Sequence, residues 1–136
     1  MFEAYTTTTA VYETDAAIAF TDTRFRDCRI STASPTSLRI VTPGRYYLSF
    51  HGVGSSNTAA SPFTIALYRN DVAVPGVVTT ITSTAAGDEQ TLSLGTIINV
   101  PPSCCYIDNE VTLRLVVTSE EPGTLTSGNV TIFRLK

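Results

Sequence analysis

One histidine, three cysteines and twelve acidic residues are the groups in this 136-residue chain with chemistry to offer. A hydrolytic triad needs a nucleophile, a base and an acid that orients the base. His51 is the sole imidazole, and the run that follows it, Gly52-Val53-Gly54-Ser55-Ser56, lacks the Gly-x-Ser-x-Gly elbow that exposes a serine nucleophile. The same run begins like a dinucleotide-binding loop. Asn57 stands where the third glycine belongs, and no helical pattern follows, so it reads as a flexible loop. His51 itself reads as an interface or core histidine hydrogen-bonded to near neighbours. Asp15, Asp22, Asp27, Asp88, Glu89, Asp108, Glu110, Glu120 and Glu121 all fall near turns, where water solvates them. No pair among them is singled out for glycoside chemistry, and neither Asp22/Asp27 nor Asp108/Glu110 has the dense spacing of a calcium loop. The expectation is no catalysis, no cofactor and no metal.

Cys28, Cys104 and Cys105 are an odd set, and adjacent cysteines seldom bridge each other without strain. With one histidine they do not complete a zinc set. They read as reduced and partly buried, with a bridge from Cys28 to either of the others as the alternative. The start, Met1-Phe-Glu-Ala-Tyr5, shows neither a basic n-region nor an apolar h-region, so no signal peptide is expected and the chain is expected to fold in a cytoplasm. No apolar run reaches membrane-spanning length. Net charge is −3, Lys136 is the only lysine, and the arginines are scattered, so nucleic acid is not an expected partner.

These groups must be positioned by strands. No window keeps helical spacing, while alternation recurs. Tyr46, Leu48 and Phe50 alternate with Tyr47, Ser49 and His51; Phe63, Ile65 and Leu67 alternate with Thr64, Ala66 and Tyr68; Val111, Leu113, Leu115 and Val117 form a third such set. Further strands are expected at Thr8–Glu13, Ala17–Thr21, Ser37–Val41, Val77–Thr82, Gln90–Leu94, Thr96–Val100 and Asn129–Leu135. The 23 threonines suit a pleated surface. Turn chemistry punctuates the strands at Pro43-Gly44, Asn70-Asp71, Pro75-Gly76, Ala86-Gly87-Asp88, Pro101-Pro102 and Pro122-Gly123. About ten short antiparallel strands in one domain indicate an all-β sandwich or barrel.

Strand faces point to self-association. Tyr46, Leu48 and Phe50 form a core face, yet Tyr47, Ser49 and His51 opposite them carry no lysine or glutamate. The last strand has Val130 and Ile132 on one side and Phe133 and Leu135 on the other. Strands apolar on both faces are covered twice. In a two-sheet fold, a second copy is the simplest second cover. The charged fraction of 15% points the same way.

The stretch Thr42-Pro-Gly-Arg-Tyr-Tyr-Leu-Ser-Phe-His51, followed by Phe63–Asp71, resembles the Pro-Gly turn, aromatic strand and hairpin of complement-type and tumour-necrosis-factor-like globular heads. The likeness runs from about Ala17 to Lys136 and closes on Ser127-Gly-Asn-Val-Thr-Ile-Phe133, which resembles the family's last strand. Asp71 departs from the usual hairpin glycine. The resemblance implies a jelly-roll β-sandwich that assembles as a homotrimer with inner sheets around the three-fold axis. Tyr47, His51 and Phe133 become the expected oligomer interface. Low lysine content, threonine-rich strands and Val72-Ala-Val-Pro-Gly76 resemble the bacterial and bacteriophage versions of the fold. That implies a non-enzymatic virion structural protein, a capsid decoration or head-fibre trimer whose partner is the major capsid protein or another virion protein.

In this reading residues 16–136 are the jelly roll and residues 1–15 an extended docking arm anchored by Phe2, Tyr5 and Tyr12, a composition suited to strand addition or groove binding. Removal of Met1–Thr9 is then expected to abolish capsid attachment while leaving a folded trimer. Arg24, Arg26 and Arg29, mixed with Asp22 and Asp27, form either a salt-bridged edge or a contact for an acidic partner. The alternative function is a glycan- or receptor-binding surface module; of the aromatics it needs in loops, only Tyr106 qualifies.

Overall fold

Eleven strands and no helix make up the described part of the chain, residues 1–102 and 111–135 of a computed structural model. The strands are β1 (Phe2–Thr6), β2 (Ala10–Tyr12), β3 (Asp22–Phe25), β4 (Ile30–Ser34), β5 (Ser37–Ile40), β6 (Gly44–Ser56), β7 (Pro62–Arg69), β8 (Val72–Thr82), β9 (Gln90–Val100), β10 (Val111–Val117) and β11 (Gly123–Arg134). They form two antiparallel sheets. The first has the order β3-β1-β11-β6-β9, with β2 also paired to β11; the second has the order β4-β5-β10-β7-β8. Neighbours in space come from distant parts of the chain, and the two sheets stack as a jelly-roll sandwich. The expected all-β architecture is what the chain adopts.

Period-two alternation explains the core. Tyr46, Leu48 and Phe50 of β6, Val130 and Ile132 of β11, Leu92 and Ile98 of β9 point from the first sheet towards Phe63, Ile65 and Leu67 of β7 and Leu113, Leu115 and Val117 of β10. The Tyr46 hydroxyl is satisfied by donating to the Thr42 carbonyl at 2.6 Å. Burial pushes its phenol above the ordinary value of 10.0. The Asn70-Asp71 pair does form a two-residue hairpin: Arg69 faces Val72, and both turn residues take positive φ, at 50° and 66°.

Five expectations need correction. Pro75-Gly76 is no turn between strands: it lies inside β8, where the register with β7 shifts. The Gly52–Ser56 run is the upper part of β6, paired to both β9 and β11, not a loop. A Cβ on Gly54 would lie 2.9 Å from the Thr124 carbonyl oxygen, so the glycine lets two strands and a core ring approach. Ala17–Thr21 is no strand. It crosses the second sheet with one bridge, Ala17 to Val116, while Ile18 and Phe20 bury their side chains and donate to the Leu115 and Pro35 carbonyls. Cys28 is exposed rather than partly buried; Cys104 and Cys105 lie outside the described residues.

The largest correction concerns the N-terminal arm. Residues 2–6 are β1, an interior strand bonded on one side to β11 and on the other to β3. Phe2 is 2% exposed, and Ala4 and Thr6 are buried beside it. The alternation Phe2/Ala4/Thr6 supplies one apolar face, and the edge of β11 supplies hydrogen-bond partners. Burial there is worth more to Phe2 than exposure on an arm. Phe2 is therefore a core residue and no docking anchor.

Candidate self-association face

The side chains on the outward face of the first sheet follow from its register. Phe133 of β11, Tyr47 of β6 and Ile97 of β9 stand directly opposite one another in a single row. The Phe133 and Tyr47 rings pack at 5.4 Å between centroids, tilted by 46°. Tyr47 also leans over Gly95, where an added Cβ would come within 2.7 Å of its hydroxyl. Phe133 is 37% and Ile97 62% exposed. The row is an apolar band across the sheet.

One row along, Thr131, Ser49 and Gly95 keep the surface small and uncharged; the next row is Tyr5, Asn129, His51 and Ser93. His51 is exposed, and its Nε2 lies 2.9 Å from the Ser49 hydroxyl. Among the described residues no carboxylate is bonded to the imidazole to orient it. It lies four residues from Tyr47 along the strand, about 13 Å at about 3.3 Å per residue. The three expected interface residues thus share one face, with Tyr47 and Phe133 touching and His51 apart.

A single carboxylate interrupts this face. Glu3 is 7% exposed and accepts from the Arg24 guanidinium at 2.8 Å and from the Asn129 amide. Pairing with hydrogen bonds is what permits a nearly buried charge. Arg24 reaches it from β3 and lies 4.8 Å above the Tyr5 ring. Tyr5, expected as an arm anchor, is therefore part of the sheet face. Tyr12 packs partly against the core, and its hydroxyl accepts from the Ala19 amide at 3.3 Å. Of the mixed charges nearby, Arg29 and the N-terminal ammonium both pair with Asp27, as in a salt-bridged edge. Tyr106 lies outside the described residues.

Ile97, Gly95 and the Glu3–Arg24 pair escape a reading of the sequence. Alternation over Thr96–Val100 assigns Ile97 to a face, but only pairing with β6 shows which face that is and what stands beside it. An uncharged surface adjoins this face. The lateral edge made by β8 and β9 carries no charged residue in either strand and exposes Val72 and Val78 along with Ile97. The two sheets are tied together there by Ser93 donating to Thr79 and Gln90 donating to the Thr82 carbonyl.

No protein-family model matches the chain, and no curated protein matches it. Solved structures do. The globular domain of the zebrafish complement 1qA protein aligns with a TM-score of 0.67 at 12% identity, over 99% of this chain and 96% of that one. The Eiger TNF structure from S. frugiperda aligns with a TM-score of 0.73 at 11% identity, over 99% of this chain and 93% of that one. At such identities the likeness is one of fold: this chain has the jelly-roll architecture of complement 1q and tumour-necrosis-factor domains.

Proposed function

We propose that this chain is a non-enzymatic structural unit that works as a homotrimer. The observation that carries the reading is the coexistence of two distinct patches on one protomer: the apolar Phe133–Tyr47–Ile97 row and the uncharged β8–β9 edge. A face and an edge are different patches, so joining them is a head-to-tail contact, which forms a closed ring when the rotation allows it. The number three comes from the jelly-roll heads that the sequence resembles. The finer proposal is that the trimer decorates a virion, capping positions on a capsid lattice. Its support is the low lysine content, the threonine-rich strands and the Val72–Gly76 segment. Docking on such a lattice does not run through Phe2, which the core holds.

The test is the solution mass by light scattering after size exclusion. About three times 14.6 kDa is expected, and Ile97→Glu combined with Phe133→Ser is expected to give a folded monomer. A monomeric wild-type protein refutes the trimer. For the virion role, co-sedimentation of the trimer with empty shells of the major capsid protein is the expected result, and its absence counts against that role alone.

A further inference from the structure

We infer that the two ends of this molecule bind each other, the acidic loop end of one copy seating on the arginine end of the next. The register defines the ends. At one of them Tyr12, Gly123 and Ser56 lie in a row, so the connections into β3, β7, β9 and β11 gather there. That end carries Glu13, Asp15, Asp88, Glu89, Glu120 and Glu121, all exposed. Their carboxylates accept only from hydroxyls and a backbone amide, as Glu89 does from Thr126, Glu121 from Thr58 and Asp88 from Ala85. No lysine, arginine or histidine stands at this end among the described residues.

At the opposite end β6 begins, while β9 and β11 finish, with Gly44 facing Val100 and Tyr46 facing Arg134. Arg26, Arg45, Arg69 and Arg134 stand there without a carboxylate partner among the described residues. Arg69 and Arg134 donate to the Asn99 and Pro43 carbonyls, which hold their guanidinium groups in place without neutralising them. The described acids nearby are already engaged: Asp27 by Arg29 and the N-terminal ammonium, Asp71 by Arg114.

Distance keeps the two patches independent. The 13 residues of β6 separate them by about 40 Å, while charges in physiological salt interact over about 8 Å. Neither end neutralises the other, so the net charge of −3 conceals two surfaces of opposite sign. The partner that fits each is the other end of a second copy. Such a contact repeats by translation and does not close, so copies stack as columns. Each exposed pair is weak and screened by salt, which sets the column apart from the face-to-edge contact. The trimer buries uncharged groups and outlasts salt; the stack does not.

Light scattering on the 136-residue chain across a salt series tests this. At about 0.01 M salt, where charges act over about 30 Å, the apparent mass is expected to be at least about twice that at about 1 M, where they act over about 3 Å. Glu120→Lys with Glu121→Lys, and separately Arg45→Glu with Arg134→Glu, are each expected to remove the low-salt growth. Mixing the two variants is expected to restore part of it, because the first keeps its arginine end and the second keeps its acidic end. All four positions are exposed, and the mass at high salt reports whether each variant keeps its basic assembly. An equal wild-type mass at both salts overturns the inference, as does growth that survives both reversals.

Discussion

Replacing Phe2 with alanine separates a docking arm from a core strand. An arm anchor contributes to partner binding and nothing to the stability of the isolated domain. A side chain that is 2% exposed, on a strand bonded to β3 and β11, belongs to the fold. Truncating a buried phenylalanine costs about 3–5 kcal/mol, the lost transfer energy plus the cavity. Phe2 also borders a surface cleft shared with Arg26, Cys28 and Ile30, which lets the site partly collapse. The lower end of the range, about 3 kcal/mol, is therefore expected. For a domain of this length that lowers the melting temperature by roughly 10 °C. The assay is urea unfolding at one fixed protein concentration, because oligomerisation makes apparent stability concentration-dependent. Tyr5→Ala is the control: it lies on the opposite face of the same strand and loses chiefly its contact with Arg24, worth about 1 kcal/mol. A Phe2→Ala protein within about 0.5 kcal/mol of wild type refutes the assignment of β1 to the core. By the same reasoning, removal of Met1–Thr9 unfolds the domain instead of freeing it from a partner.

Gly123 opens β11 against the ring of Phe63, and an added Cβ would meet that ring at 2.4 Å. Gly123→Ala is expected to destabilise the domain by about 3 kcal/mol, and Phe63→Leu in that background to recover more than about 1 kcal/mol in a double-mutant cycle. Additive effects in the cycle argue against the clash. Asp27 is held below its ordinary value of 3.8, first by the Arg29 amide that donates to it, then by the N-terminal ammonium and the Arg29 side chain, with burial opposing. A depressed folded-state pKa means stabilisation that is complete above the unfolded value and is lost as pH falls through the folded one. Unfolding curves from about pH 6 to about pH 2 should therefore show a shallower acid limb for Asp27→Asn than for wild type; parallel limbs contradict the assignment.

Strand content, the Asn70-Asp71 hairpin and the core face of Tyr46, Leu48 and Phe50 were legible because each depends on neighbours within a few residues. Alternation of period two and the φ preference of turn residues are local properties. Where the local signal misled, a distant contact had overruled it. Gly52 and Gly54 look like a loop until Leu92, Phe63 and the backbone of β11 close on them. Ala17–Thr21 alternates like a strand, yet its hydrogen bonds go to Leu115 and Pro35 across the second sheet.

From the order of residues alone follow an all-β sandwich or barrel, low charge, and aromatic strands apolar on both faces. Composition and alternation suffice for that, since they decide which side chains shun water. Folding settles which face those strands share with Ile97, that Phe2 lies within the sandwich, and that six exposed acids and four arginines gather at opposite ends. Each of these depends on register between strands far apart in the chain, and a shift of one residue would send every side chain to the other face.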